Sequence, residues 1–379
     1  MALEAFAGLA QYDLVDVRED LSDVVSEILL DDKSLLARIG ISGEATNVKH
    51  EWSERSLNAT TVTAAEALTN SDTTFSVASG HGARVRIGTL LRDNSQGKTE
   101  VVQVTAISSD DLTVVRGYGS TSGEAHSDAT VWQIVGRPKQ SGADLSADRS
   151  TTRGRKDNTC QIFEDAVIVA GDAEAVIKAG VSSEIALQAA DRLMELMREL
   201  DHSILMGIES ASTGSDTVYR SMGGIIEFLT QASANHVSTA ETLSEEVLND
   251  LYRLAFDDGG DPRLLVVNQK QMEVISGFNE DKVRIAPGAN MAGTFTTRYM
   301  TDLGAELEIL LDRWMPNDTI ALIDPSRIVA VPLRSRAFGM VPIAKTGDAE
   351  KRQLLGDYTL EVRNALEAHA IHTNLNIPS

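Results

Sequence analysis

Cysteine is nearly absent: one residue, Cys160, stands in 379. That excludes an intramolecular disulfide and any multi-cysteine metal site. Aromatic residues are scarce at 4%, so the cores must be aliphatic. Basic residues are the minority, with 34 Lys and Arg against 56 Asp and Glu, a net charge of −22. That deficit argues against the salt-sensitive grip on phosphates that basic nucleic-acid binders use, and against docking on an anionic membrane. Long apolar runs are missing as well. Nothing approaches the ~18 uninterrupted apolar residues of a membrane span. Met1–Ala10 has neither a basic flank nor a long apolar stretch, so no signal peptide is read there. A soluble protein made in a reducing cytosol is expected.

Catalytic motifs are missing too. Gly97-Lys98-Thr99 resembles the end of a phosphate loop, but Arg92 stands where the first glycine belongs and a strand follows. It reads as a hairpin turn. His50-Glu51-Trp52-Ser53-Glu54 begins like a zinc-protease helix, yet Glu54 replaces the second histidine. His369 and His372 lack acidic or cysteine partners at ligand spacing. On a strand Ala368–Leu375 they would point to opposite faces. Gly117-Tyr118-Gly119 has Ser122 where a dinucleotide fingerprint needs glycine. Asp257–Asp261 lacks the spaced oxygens of a calcium loop and reads as a helix stop. Met194, Met197 and Met206 read as core or interface filler, and Cys160 as a buried thiol. No catalytic, cofactor-binding or metal residue is assigned, and no enzyme activity is expected.

What is present is an organisation. A length of 379 residues fits two or three domains at about 100–200 residues each. The first 35 residues hold nine acids and two bases, with an apolar stripe at Leu14, Val17, Leu21, Val24, Val25, Ile28 and Leu29. That is an amphipathic helix with an acidic outer face, packed on its own domain or lying as an arm on another subunit. Residues 44–57 read as extended. Short β-rich runs then recur at Thr74–Val77, Arg84–Ile87, Glu100–Ile107, Leu112–Arg116 and Val131–Val135, separated by turns. They predict a small β-barrel or sandwich inserted into a larger chain.

Charge reverses over residues 137–156. Arg137, Lys139, Arg149, Arg153, Arg155 and Lys156 face only Asp144 and Asp148, giving +4 against −7 in the first 35 residues. With no apolar periodicity, this is a long exposed loop or ribbon, and these six cations are the candidate inter-subunit contacts. A long helix follows from Ser182 to Glu209, about 42 Å at 1.5 Å per residue. Ser182 or Ser183 caps it, its stripe runs Ile185, Ala189, Leu193, Leu196/Met197, Leu200, Ile204, Ile208, and Gly207 and Gly214 help end it. Thr242 with Glu245 suggests a capping box before Val247, Leu248, Leu251, Leu254 and Ala255. Strands are read at Leu264–Val267, Leu307–Leu311, Ile320–Ile323, Ile328–Pro332 and Tyr358–Val362, and a short helix at Gln269–Gly277. The class is α+β with non-local pairing.

This build resembles the major capsid protein of tailed double-stranded-DNA bacteriophages, the Hong Kong 97-type fold. The C-terminal series carries the resemblance: Arg298-Tyr299-Met300-Thr301-Asp302-Leu303-Gly304, Asp312-Arg313-Trp314-Met315-Pro316, Ile323-Asp324-Pro325-Ser326, then Ala344 to Gln353 and Tyr358 to Asn364. It looks like the branch with a β-domain inserted in the extended loop. Leu112 to Gly119, continuing to His126, is similar to a β-module common in phage virion proteins. The resemblance implies an N-terminal arm at 1–43, an extended loop at 44–59 and 136–165, an inserted β-domain at 60–135, a peripheral domain at 166–222 and 341–379, and an axial domain at 223–340. It implies a self-assembling subunit of hexamers and pentamers in an icosahedral shell enclosing double-stranded DNA, assembled in the host cytoplasm. A scaffold, a portal and a decoration protein are the partners it implies. The loop lysines Lys139 and Lys156 give no basis for choosing a crosslinked asparagine, so no crosslink is expected. The competing readings are another virion or surface-layer protein, such as a tail or decoration component, and a hydrolase with a β-rich accessory domain.

Overall fold

The computed structural model describes residues 34–55, 57–139, 141, 142, 144, 150–176, 183–210, 218–231, 235–278, 298–345 and 347–377. The apolar stripe at 14–29, Arg149, Ser182 and Gly214 lie outside the described residues. Among the described residues helix α1 (Ser34–Ile39) and strand β1 (Lys49–Glu54) come first. Residues Ser53–Gly154 then form one compact unit, and the chain before and after them forms another.

In the Ser53–Gly154 unit the strands are β2 (Thr61–Thr63), β3 (Thr74–Ser76), β4 (Leu90–Asp93), β5 (Val101–Ser108), β6 (Asp111–Val115) and β7 (Val131–Gly136). Their order is β2-β7-β4-β5-β6-β3. An antiparallel bridge from Ala64 to Val77 brings the two ends of that order together, so the sheet closes into a barrel. Alternation decides the inside: Val62, Phe75, Leu91, Val102, Val104, Leu112, Val114 and Trp132 are all buried. The expected strand at Arg84–Ile87 is corrected. Residues Gly82–Arg84 form a 3-10 turn, because Asp110 accepts from the Gly82 N–H and Thr89 Oγ1 from the Arg86 N–H. Those local acceptors replace a ladder partner. Strands β2 and β4 are the ones the turn pattern did not announce.

The other unit continues with β8 (Gly154–Thr159), β9 (Gln161–Ala170), α2 (Gly171–Ala175), α3 (Glu184–Met206), α4 (Ile225–Gln231), β10 (His236–Val237), α5 (Glu245–Asp257), β11 (Leu264–Val267), α6 (Gln269–Gly277), β12 (Arg298–Met300), β13 (Glu306–Leu311), β14 (Ile320–Ile323), β15 (Ile328–Pro332), β16 (Gly339–Ile343), β17 (Ala349–Val362) and β18 (Ala370–His372). The long helix α3 is shorter than expected, 23 residues or about 34 Å. Ser183 caps it, its side chain accepting from the Ala186 N–H. It ends at Gly207, whose extended ψ of 149° stops the helix before Glu209.

One face of α3 buries Ile185, Leu196, Leu200, Ile204 and Leu205 in a core shared with Phe163 and Val167 of β9 and Leu354, Tyr358 and Leu360 of β17. Each large aliphatic there is worth about 2 kcal/mol of burial. Leu193 and Ile208, counted in the expected stripe, are exposed. The six-stranded sheet β10-β18-β14-β11-β13-β12 is covered on both faces. Leu264, Val266, Ala321 and Ile323 turn into the α3 core. Leu265, Val267, Ile320 and Leu322 meet Leu248, Leu251 and Tyr252 of α5 and Met272 and Ile275 of α6. Two covered faces explain why β11 and β14 are unbroken apolar runs. The expected capping box of α5 is also corrected: Ser244 is the cap, accepting from Val247, and Thr242 Oγ1 accepts from Asn376 instead.

Candidate functional site

Strands β1 and β8 pair as an isolated two-stranded ribbon. The sequence KHEWSE alternates, so Trp52 is buried while Lys49, Glu51 and Ser53 face out. On β8, residues 154–156 are exposed and Asn158 and Thr159 are buried. The ribbon thus has a wet outer end and a dry root. Lys49 Nζ lies 2.8 Å from Asp157, whose hydrogen bond and charge raise the lysine above its ordinary value. Arg155 reaches Glu51 at 3.4 Å with a side chain 78% exposed, so the pair adds little stability.

The six candidate cations divide. Arg153, Arg155 and Lys156 are exposed. Lys139 is exposed too, in the Ser53–Gly154 unit. Arg137 is half-buried and donates to the Arg84 carbonyl at 3.3 Å, so it braces its own unit. Arg149 lies outside the described residues.

The root is where sequence reasoning missed the decisive residue. Asn158 is fully buried and makes four hydrogen bonds. Its Nδ2 donates to the carbonyls of Gly223 (3.0 Å) and Leu360 (2.8 Å), and its Oδ1 accepts from the N–H groups of Gly223 and Thr159, each at 2.8 Å. One amide thereby ties the ribbon to the segment before α4 and to β17. The surrounding run Lys156-Asp157-Asn158-Thr159 gave no signal, because one polar residue in a polar stretch looks like loop. Next to it Thr159 donates to Glu209 at 3.0 Å. Burial pushes the Glu209 carboxyl up, helped by repulsion from Asp157 and Glu227. The chain turns back tightly here: a Cβ on Gly224 would meet Gly207 N at 2.6 Å and Ser203 O at 2.9 Å.

Other perturbed groups have partners within the fold. The His50 ring beside Glu361 and the Arg363 guanidinium at 2.7 Å hold that carboxyl down to about 2, against the cost of burial. Cys160 is fully buried between β8 and β9, and burial with the Asp357 charge pushes its thiol up to about 11. His369 precedes β18 and His372 ends it, and both are buried. His369 Nδ1 accepts from the Asp324 N–H at 3.1 Å, and Nε2 donates to the Arg363 carbonyl at 3.2 Å. His372 Nε2 meets Glu241 at 2.8 Å. Among the described residues no three His, Cys, Asp or Glu side chains converge as a metal site, and no helix is long and apolar enough to cross a membrane.

Comparison with known proteins gives this architecture a family. The chain matches the SU10 major capsid protein family over residues 6–376. No curated protein sequence matches it. Among solved structures it is similar to the capsid of a native GTA particle, with TM-score 0.53 and 11% identity over 99% of this chain and 100% of that one. It is also similar to a chain of Microbacterium phage Oxtober96, with TM-score 0.51 and 12% identity over 98% of this chain and 100% of that one. At such identity the likeness is one of fold: mixed helix and sheet, of the Hong Kong 97 type. The family match carries the function, and the chain belongs to the SU10 major capsid protein family, a capsid shell protein of the phage virion.

Proposed function

We propose that copies of this chain close into hexamers and pentamers of an icosahedral shell around double-stranded DNA, with the ribbon's cations lying on an acidic surface of a neighbouring copy. The observation that carries this reading is the isolated β1–β8 ribbon, whose exposed Arg153, Arg155 and Lys156 flank it in a protein of net charge −22. Mutual repulsion between acidic subunits is relieved where a basic element reaches across. Closed symmetric assembly then buries the same surfaces in every copy.

In this reading residues 1–43 are the arm, 44–59 and 136–165 the extended loop, 60–135 an inserted β-domain, 166–222 and 341–379 the peripheral domain, and 223–340 the axial domain. The compact Ser53–Gly154 unit supports the inserted β-domain, although that unit is wider than 60–135. Assembly takes place in the host cytoplasm with a scaffold and a portal, and a decoration protein binds the finished shell. The chain performs no catalysis. The test is charge reversal of Arg153, Arg155 and Lys156 to Glu. Electron microscopy should find few or no shells, while circular dichroism shows a folded subunit. Normal shells from that variant would overturn the role of the ribbon.

A further inference from the structure

The sheet built on β17 ends in β9 on one side and, along residues 351–355, in β16 on the other. The two edges are finished differently. In an antiparallel pair alternate residues turn their N–H and C=O to the partner, and the rest turn theirs away. Gly171 N–H donates to the Asp348 carbonyl at 2.9 Å, in register with the β9–β17 ladder. Odd-numbered residues of β9 therefore bond to β17, and Ile162, Glu164, Ala166, Ile168 and Ala170 turn theirs outward. The Ala166 N–H agrees, since it takes the Asp165 carboxylate at 2.7 Å rather than β17. On the far side Leu333 N–H donates to the Asp357 carbonyl at 2.9 Å, so odd residues of β17 bond to that side. Pro342 of β16, opposite Arg352, thus falls where a backbone N–H would point to the open edge. Proline removes that donor and blunts β16 against a further strand. Strand β9 has no proline, and among the described residues no strand pairs with its outer edge.

That open edge borders a groove. A cavity of about 350 Å³ runs beside residues 166–170 and is also lined by Glu184, Gln188 and Arg192 of α3. Glu164 and Asp165 on the strand and Glu184 and Glu195 on the helix make the groove acidic. Arg192 already meets Glu195 and lies 4.0 Å from Asp165. Such an edge repels another acidic strand, a second β9 included, and admits a basic one. The chain carries a basic extended stretch in Ser150-Thr151-Thr152-Arg153-Gly154-Arg155-Lys156, exposed throughout. It runs into β8, which pairs with β1 alone among the described residues. Two strands by themselves are marginal in water, so the ribbon lacks a third. In an extended strand Arg153 and Arg155 share one face, and Gly154 and Lys156 the other.

We propose that residues 150–156 of a second copy add as a strand to the outer edge of β9, in the groove beside α3. The proposal rests on the reading that the ribbon's cations lie on an acidic neighbour, and it names the surface and the kind of bond. Main-chain hydrogen bonds to Glu164, Ala166 and Ile168 hold the added strand. Arg153 and Arg155 face α3, on the side of Asp165, Glu184 and Glu195. Lys156 faces Glu164 on the other side of the sheet. The Asp165 carboxylate yields the Ala166 N–H to the incoming strand and takes an arginine in its place.

Proline tests this without touching a charge. Ile168→Pro copies the device of Pro342: the lost N–H points outward, so the β9–β17 ladder keeps its bonds. The variant should fold, with wild-type hydrogen-exchange protection over 349–362, yet give at least tenfold fewer shells by electron microscopy. In wild-type shells the Glu164 and Ile168 amides should exchange at least tenfold more slowly than in the unassembled chain. The Val167 and Val169 amides, bonded to β17, should be protected in both. Normal shells from Ile168→Pro would overturn the strand pairing, while the charge-reversed ribbon decides separately on the cations. Unprotected Glu164 and Ile168 amides in wild-type shells would overturn it even where the proline variant failed to fold. Absence of shells from the wild type would overturn the assembly reading, and this proposal with it.

Discussion

Acid should weaken the larger unit in part through His369. Its ring is fully buried, and both nitrogens are committed in the neutral form: Nδ1 accepts from Asp324 N–H and Nε2 donates to Arg363 O. A proton on Nδ1 would turn an acceptor into a donor facing another donor. Burial therefore pushes the ring from 6.5 down to about 4. The unfolded chain still takes up that proton near 6.5. Stability from this residue is then fully present above about pH 6.5 and is lost as the pH falls towards 4, at about 1.4 kcal/mol per pH unit and about 3 kcal/mol in all. The assay is urea unfolding of the unassembled chain from pH 7 to pH 4, for the wild type and His369→Gln. At pH 7 the variant should be less stable by about 1–2 kcal/mol, from its poorer hydrogen bonds. The gap should close as the pH falls and reverse near pH 5, since the variant has no such proton to gain. Every other titrating group is common to both chains and cancels in the difference. A gap that stays constant from pH 7 to pH 4 would refute the reasoning.

Asn158→Ala should cost roughly 2–4 kcal/mol, because it strands two N–H groups and two carbonyls in a dry site; urea unfolding reads the loss. Gly224→Ala should cost about 2 kcal/mol or more, since its Cβ would meet backbone rather than a movable side chain; a drop in Tm of several degrees is the sign. Cys160 should resist thiol reagents at pH 8 in the native protein and react once denaturant is added, being buried with its thiol raised to about 11. Fast labelling of the native chain would show that the β8–β9 junction opens.

Sequence legibility followed the physics of each element. The strands Leu264–Val267 and Ile320–Ile323 were readable to the residue because two covered faces demand a continuous apolar run. Strand β9 was not, since its outward face alternates Ile162, Glu164, Ala166 and Ile168 and looks amphipathic without a turn to bound it. Strand β16, exposed at every position, carries no burial signal at all. The basic stretch at 137–156 was legible because a local charge reversal is visible without any fold. The ribbon's anchor was not, because the importance of Asn158 lies in partners at 223 and 360, which only the fold brings near. The barrel was legible as a β-rich module, whereas the ionic cluster inside it joins Asp93, Glu100, Arg116 and His126 from separate strands and turns.

Strand β17 is laddered to β9 along ten residue pairs, from Ala349 opposite Ala170 to Tyr358 opposite Gln161, while β16 and β15 share its other edge. Strand β9 continues directly from the ribbon strand β8, with Cys160 alone between them. A pull on the ribbon is thus delivered along the β9–β17 ladder rather than across it. Hydrogen bonds loaded across a ladder break in succession, like a zip. Loaded along its length they must give way together. The β9–β17 seam therefore meets a pull on the ribbon in shear.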